Sequence, residues 1–447
     1  MDLVAEVGLF DPQLIGARAN AKGVIRTPGN KAGDEASKEG DEMRKNRLAV
    51  FGTLAAVAAT TWVLCAPAQA QDTIKIGWSI SKTGPFAAGA GITTLSNYQV
   101  WVKDVNDAGG ILLKSTGKKA KIEVVEYDDR SNSEEMIKAV ERLATQDKVD
   151  FILPPWSTGM NLAAAPIFNK LGYPHLAVTA NTNQAPQLTK RWPNLTFWLG
   201  LPSEITDGIV ATFTKLNKDG KINKKIAMIA VGDQFGIELS SATREGLKKA
   251  GFDLVYDKSY PFGTQDMQPV LKDAQAANPD VLLAFSYPPD TFAITDTAKV
   301  IAFNPKVFFV GVGTAFPMYK GKFGANAEGV MGIGGSDAAL EGIKWYVKHH
   351  KDVIGREPDR WASPITYASL QVLQQAIERV GKIDRAAVIK EINTGSFDTI
   401  IGKVKLDNGL NRNIWAVGQW QGNDFFGIAP LGKQGAKAPI VPKPAWQ

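Results

Sequence analysis

From Thr73 onward, short Val/Ile/Phe-rich runs alternate with amphipathic stretches of helical period, and this alternation leaves few folds open to the chain. The runs read TIKIGWSI (73–80), KIEVVEYD (121–128), DFILPP (150–155), HLAVTA (175–180), KIAMIAV (225–231), DLVYDKSY (253–260), DVLLAFSY (280–287) and VFFVGVG (307–313). Mostly continuous apolar character of this kind marks parallel strands buried on both faces. Between the first two runs, Tyr98, Trp101, Val102 and Val105 fall at i, i+3, i+4 and i+7, on one face of a helix that Gly109 and Gly110 stop. SNSEEMIKAVERLATQD repeats the period, with Ile137, Val140 and Leu143 on the buried side and Ser131 or Ser133 as cap. A βαβα rhythm predicts a doubly wound α/β architecture with right-handed crossovers. The rhythm occurs twice, over about 73–180 and 225–315, joined near TFWLGLPSEITDG (196–208). Two α/β lobes imply a cleft, and ligands bind at such interfaces and at the carboxyl ends of parallel strands.

A chain of 447 residues has room for two lobes at roughly 100–200 residues per domain. Its formal charge of +6 comes from bases spread among nearly as many acids, with no Lys/Arg run longer than a pair, which argues against a nucleic-acid partner.

From Met43 the sequence reads MRKNRLAVFGTLAAVAATTWVLCAPAQAQD: a basic start, an apolar core from Leu48 to Cys65 and the small-x-small ending Ala68-Gln69-Ala70. This is the pattern of a Sec signal peptide (43–70) cleaved before Gln71, and Pro67 with the small residues favours cleavage over a membrane anchor. Translation is then expected to begin at Met43, with 1–42 a mis-called extension or a disordered leader. Cys65 is the only cysteine, and Trp62-Val63-Leu64 lacks the small residue a lipid-attachment site wants beside it. The exported part carries no cysteine and must be held by core packing, in a periplasmic compartment and without membrane insertion.

Motifs for catalysis are sparse. The loop WSISKTGPFAAGAG (78–91) sits where a dinucleotide fingerprint would lie, but Gly84, Gly89 and Gly91 do not fit GxGxxG, and no GxxxxGK[ST] occurs. His175 begins an apolar strand and reads as a core residue, while His349 and His350 read as the solvated end of a lysine-rich helix. Asp128 and Asp129 are neighbours on a strand and so point to opposite faces. No cofactor, metal site or enzymatic activity is expected. The ends of the strand runs carry a different signal: Trp156-Ser157-Thr158, Thr179-Ala180-Asn181, Phe235 and Tyr287 place aromatics and hydroxyls at strand-to-helix turns. Aromatic walls with free backbone N–H groups suit a small ligand bearing a carboxylate.

The ordered set IKIGWSISKTGPFAAGAG, DVNDAGGI, VVEYDDRSNSEEMIKAVERLATQDKVDFILPPWSTG, DQFGIELSSATREGLKKAG and PDVLLAFSYPPDTFAI resembles the branched-chain amino-acid type of substrate-binding protein of bacterial ABC importers, over nearly all of 72–425. The resemblance implies a type I periplasmic binding protein: α/β, two Rossmann-like lobes with parallel sheets joined by three hinge crossings, closing on a ligand. It implies lobes of 71–200 with about 326–397, and of 201–325 with about 398–447. By position, Phe86 stands at the aromatic of the first loop. Ser157, Thr158 and Gly159 stand in the loop that grips a ligand carboxylate, Thr179, Ala180 and Asn181 in the next, and Phe235 and Tyr287 at aromatics of the second lobe. The family's amino-acid binders carry an acid after the strand corresponding to VFFVGVG, to balance the ligand ammonium. Here Gly313, Thr314 and Ala315 follow instead. A buried ammonium without a partner costs several kcal/mol, so the expected ligand is a small carboxylate or amide-like solute, with Phe86, Trp156, Phe235, Tyr287 and Phe316 suited to an aromatic one. Asp233 or Asp290 could supply the charge from another direction, which leaves an amino-acid-related solute open. The implied partner is a membrane permease; the alternative is a ligand sensor of the same fold that feeds a membrane receptor or kinase.

Overall fold

β1 (Thr73–Ile80) is the hub of the first sheet. It is followed by β2 (Ile111–Leu113), β3 (Lys118–Asp128) and β4 (Phe151–Leu153), in the spatial order β2-β3-β1-β4. β1 pairs in parallel with β3 from Thr73↔Lys121 to Ile80↔Asp128 and with β4 from Ile76↔Phe151; β2 runs antiparallel at one edge. β5 (His175–Ala177) and β6 (Leu195–Phe197) form a separate parallel pair. The structure is a computed structural model that describes residues 73–447. The leader 1–42, the signal peptide 43–70 with Cys65 and the cleavage site before Gln71 lie outside the described residues.

The second sheet contains β7 (Lys225–Val231), β8 (Asp253–Tyr260), β9 (Val281–Phe285), β10 (Val307–Gly311) and β11 (Met331–Gly332). After the short hairpin of β12 (Phe397–Thr399) and β13 (Gly402–Val404) it is completed by β14 (Val417–Gln421) and β15 (Asp424–Ala429), in the order β15-β14-β11-β10-β9-β7-β8. Its parallel part is the second α/β lobe. β14 and β15 are antiparallel additions, which the sequence reading did not foresee.

Three expectations are corrected. The runs 121–128 and 253–260 are not buried on both faces: β8 is a sheet edge, and β2 covers β3 only over Lys118–Ala120. Their Glu123, Glu126, Asp257 and Lys258 suit exposed edges. The helix Ser133–Thr145 is capped by Asn132, which accepts from the amides of Glu134 and Glu135, and not by Ser131 or Ser133. The boundaries expected near 326 and 398 also shift. β11 is hydrogen-bonded between β10 and β14, so the second sheet extends past 325, and the hairpin 397–404 packs on the helix Ala362–Val380 beside the first sheet.

The connections run side by side. Phe197 N donates to Gly409 O (2.9 Å), Asn411 N donates to Phe197 O (2.9 Å), and Asn411 Nδ2 donates to Trp198 O (2.9 Å). Gly200 sits at φ +73°, and a Cβ there would lie 2.5 Å from Ile414 Cδ1. The strand-like segment at Ser336 bridges to Phe426, and Gly427 N donates to Ser336 O (3.2 Å). The lobes are thus joined by three adjacent crossings, near 199–201, 333–337 and 411–416. Buried Trp78, Trp101, Trp198 and Trp420 anchor the core, each with its indole N–H bonded.

Candidate functional site

The first loop is held from below by the two carboxylates at the end of β3. Asp129 accepts from Ser81 Oγ (2.5 Å), and Asp128 accepts from Lys82 N (3.0 Å) and Thr83 Oγ1 (2.8 Å). Ser131 Oγ accepts from Phe86 N (3.0 Å) and donates to Thr83 O (2.8 Å). The small residues have a steric reason. Gly84 takes φ +82° with a Cβ position 2.7 Å from Ser131 Oγ, and a Cβ on Gly89 would lie 2.2 Å from Trp156 Cζ2. The loop therefore carries Phe86 and lets Trp156 pack onto its backbone.

After β4 the chain turns sharply into the helix Thr158–Leu171 at Ser157, which adopts φ +88°, a strained conformation for a residue with a side chain. Ser157 Oγ caps the helix by accepting from Met160 N (3.2 Å), and Ser157 N donates to Thr179 Oγ1 (3.2 Å). Thr158 Oγ1 accepts from Asn181 N (3.1 Å), while Asn181 Nδ2 donates to Gly200 O (2.9 Å). Asn181 Oδ1 is buried with no hydrogen-bond partner among the described residues. The two loops after β4 and β5 are thus cross-linked at the start of a helix whose first amides lack intrahelical acceptors, Met160 N being taken by Ser157 Oγ.

From the second lobe come Phe235, at the start of the helix Gln234–Lys249, and Tyr287, which precedes the helix Pro288–Val300. Tyr287 OH donates to Asp233 Oδ2 (2.6 Å), and Asp233 Oδ1 caps its own helix by accepting from Gly236 N (3.1 Å). Tyr260 OH donates to Asp290 Oδ2 (3.1 Å). Burial holds both carboxyls above the ordinary Asp range, against the opposing hydrogen bonds from the tyrosines. Burial, with the carboxylates beside them, pushes both phenols up.

The two lobes meet in one aromatic cluster. Phe86 lies 5.3 Å from Trp156, 5.2 Å from Phe262 and 5.3 Å from Tyr287, between ring centroids. Tyr287 is also 5.5 Å from Trp156, 5.3 Å from Phe235 and 5.7 Å from Phe262. Beside the cluster is a cavity of about 20 Å³ lined by Trp156, Ser157, Thr158, Thr179 and Asn181 of the first lobe and Phe235 and Tyr287 of the second. Thr93, Leu199, Val312, Trp361 and Ala362 complete it. None of these lining residues is charged. A further contact joins the lobes outside the cavity, where Thr182 Oγ1 donates to Glu238 Oε1 (2.7 Å).

Of the residues expected from the sequence, seven line the cavity, and Phe86 does not line it but packs against two of its walls, Trp156 and Tyr287. The other four do not line it. Gly159 faces solvent on its helix, and Ala180 packs behind the loop with Ala165 and Phe197. Gly313, at φ +111°, is pressed against Pro288. Thr314 Oγ1 donates back to Val310 O within the second sheet. Phe316, expected as a wall, precedes the helix Pro317–Phe323 and does not line the cavity. Thr93, Leu199, Val312, Trp361 and Ala362 were missed. Thr93 accepts from Trp156 Nε1 (2.8 Å), and Trp361 is placed by Asp359, which accepts from the amides of Trp361 (2.7 Å), Ala362 and Ser363.

The histidines stand apart from the cavity. His175 is buried, stacked on Phe168 and paired with Asn161 Oδ1 (3.0 Å), and burial lowers its imidazole to about 3. His350 corrects the expectation of a solvated end: it is buried, between Arg356 O (2.9 Å) and Ser96 Oγ (3.1 Å), and burial lowers it to about 4. His349 is half-buried and meets Asp104 Oδ1 at 2.7 Å.

A model of the periplasmic binding protein family matches residues 73–424. The Leu/Ile/Val-binding protein homolog 7 of Brucella suis biovar 1 is 25% identical over 392 residues, covering 82% of this chain and 94% of that protein. Among solved structures, the branched-chain amino acid transporter substrate-binding protein of Streptococcus pneumoniae, in complex with isoleucine, is similar with a TM-score of 0.69 and 21% identity, covering 83% of this chain and 100% of that one. A solute-binding protein of an ABC transporter from Rhodopseudomonas palustris BisB5, in complex with 3,4-dihydroxybenzoic acid, has a TM-score of 0.68 and 19% identity, covering 84% and 99%.

Proposed function

We propose that this chain, which belongs to the periplasmic binding protein family in its branched-chain amino-acid type, is the extracytoplasmic receptor of an ABC importer for a small carboxylate or amide-like solute with an aromatic body. The observation that carries this reading is the cavity at the lobe junction: aromatics, hydroxyls and amides converge from both lobes with no charged side chain among the lining residues. Ser157, Thr158 and the first-turn amides suit a carboxylate. Trp156, Phe235 and Tyr287 suit a flat apolar body. An α-amino acid would bring an ammonium group as well. Neither Asp233, bonded to Tyr287 and Gly236, nor Asp290, bonded to Tyr260, is among the residues that line the cavity, so no carboxylate lines the space that charge would occupy.

A cavity of about 20 Å³ is little more than one water-sized sphere. Ligand entry therefore requires the lobes to part and the rings to separate, and closure around the ligand then presents one surface to a membrane permease. We place the receptor in the periplasm, exported by the signal peptide and cleaved before Gln71. Among the described residues, no helix is long and apolar enough to cross a membrane.

The reading is tested by stripping the purified protein of bound solute and following its melting temperature with benzoate, 3,4-dihydroxybenzoate, benzamide, leucine and isoleucine. Native-state binding stabilises by about 2.7 kcal/mol at a hundredfold excess over Kd. Shifts with the ring carboxylates or the amide, and none with leucine or isoleucine, are expected. A shift with leucine or isoleucine alone overturns the ligand assignment.

A further inference from the structure

On the far side of Trp361 from the lobe junction lies a second and larger cavity, of about 230 Å³. Its walls come from the crossings themselves: Gly335, Ser336 and Asp337 from one, Asn413 and Trp415 from another. Ile343, Ile365 and Ile401 supply apolar surface, and Lys433 closes one side. Trp361 is the wall shared with the ligand cavity.

Two buried polar groups in this wall are unused. Ser336 is only 3% exposed, yet its Oγ has no hydrogen-bond partner among the described residues, and the same holds for Nε1 of Trp361. Buried polar groups are ordinarily satisfied, so such orphans mark a place where a partner is missing. Lys433 Nζ donates to Asn413 Oδ1 (2.8 Å) and Ile414 O (2.7 Å), which leaves its third proton for an acceptor. It lies 4.6 Å from the centre of the Trp415 ring. Burial lowers this amine to about 8, with Asp337 opposing, so it remains predominantly protonated at neutral pH. The space is ample, since an apolar cavity of about 150 Å³ is enough to hold benzene.

We infer that this hinge cavity is a second small-molecule site, for a single-ring carboxylate whose ring lies against Trp361 and Trp415 and whose oxygens accept from Ser336, Trp361 and Lys433. Ser336, Trp361 and Lys433 offer O–H and N–H donors, and Lys433 is the single cation; Asp337, the one carboxylate in the wall, accepts from Ala339 N (2.9 Å) and acts on Lys433. Because the lining residues belong to two crossings, an occupant ties the hinge segments to one another.

The test uses 4-fluorobenzoate as probe, followed by ¹⁹F NMR and calorimetry on the purified protein and on two sets of variants with unchanged circular dichroism. The expected result is saturable binding that survives Trp156→Ala, which disables the lobe-junction cavity. It should weaken roughly tenfold or more in Lys433→Met, since hydrogen bonds to charged groups are the stronger kind. Ser336→Leu, which fills the space, should abolish it, and Trp415→Ala gives an independent loss should the Leu variant fail to fold. Binding that disappears in Trp156→Ala and is unaltered in Lys433→Met and Trp415→Ala would place the probe in the lobe junction alone, overturning the hinge site and leaving the receptor reading intact. No saturable binding to any form would also overturn it.

Discussion

Gly89→Ala tests whether the small residues of the first loop are there to seat Trp156. A Cβ at this position would stand 2.2 Å from Cζ2, 2.6 Å from Cη2 and 2.9 Å from Cε2 of the indole, where ordinary contact begins near 3.4 Å. The ring must therefore retreat by about 1 Å, and its path is set by its neighbours. The Gly89 backbone is fixed by Thr93 Oγ1, which donates to Gly89 O (2.8 Å), so the loop does not yield easily. The indole is flanked by Phe86 and Tyr287 and borders the cavity, so its retreat presses on the cavity walls. Overpacking of this kind costs about 1–3 kcal/mol. When that displacement intrudes on ligand space, the same energy appears as roughly a 5- to 150-fold loss of affinity. Calorimetry with the solute that gives the largest thermal shift reads it directly. Gly91→Ala is the control, since its Cβ would meet only Arg356 Nη2, at 3.9 Å, and should leave binding unchanged. Equal affinities for wild type and Gly89→Ala would refute the placement of Trp156 as a ligand wall.

Tyr287→Phe keeps the ring contacts but removes the donor to Asp233; urea denaturation should show a loss of about 1.5–3 kcal/mol, and unchanged stability would mean the carboxyl finds another partner. Ser157→Ala should lose about 1 kcal/mol from the lost cap, whereas Ser157→Gly, which relieves φ +88°, should melt at or above the wild-type temperature. His350 is ordinarily half-protonated near 6.5 when unfolded and about 4 when folded, so its contribution to stability is full above pH 6.5 and falls away as the pH drops toward 4, by ~3 kcal/mol at most. The buried Asp233 and Asp290, held above their ordinary range, act in the opposite direction as the pH falls. The difference between wild type and His350→Gln in denaturation curves from pH 7 to 4 isolates the histidine, and parallel curves would refute its neutral burial.

The doubly wound pattern was legible because each central strand is a local signal: Val281–Phe285 and Val307–Gly311 are apolar throughout and buried throughout. The loops after β4 and β5 were legible for the same reason, lying just past such strands. What failed to show is what depends on distant partners. Gln419 and Gln421 give the run 417–421 a polar look, yet Gln419 is buried within the sheet, donating to Gly329 O (2.8 Å) and Ile440 O (2.9 Å). Trp361 sits in DRWASP, where the Asp-before-helix pattern announces a cap but says nothing of a cavity whose other walls, from Thr93 to Val312, lie elsewhere in the chain. His350 looked solvated because its neighbours are lysines; its acceptor on Arg356 and its contact with Ser96 exist only in the folded chain.

The aromatic cluster has a consequence for affinity. Phe86 and Trp156 of one lobe already touch Phe262 and Tyr287 of the other, so closure is favoured by ring contacts before any ligand is counted. A ligand that must part those rings binds the open form first, and its apparent affinity falls by the fraction of molecules that are open. Phe262 is the ring to remove. It is 38% exposed, does not line the cavity, and contacts Phe86 and Tyr287. Only its contact with Phe86 crosses between the lobes, so at about 0.5–1.5 kcal/mol for an aromatic pair, Phe262→Ala should weaken ligand-free closure by about that amount while leaving the cavity walls in place. Small-angle scattering of the ligand-free variant should show a larger radius of gyration than wild type, and calorimetry a tighter Kd. A variant that opens yet binds more weakly would show that Phe262 closes over the ligand and belongs to the site, and a variant that does not open would refute the cluster as the latch.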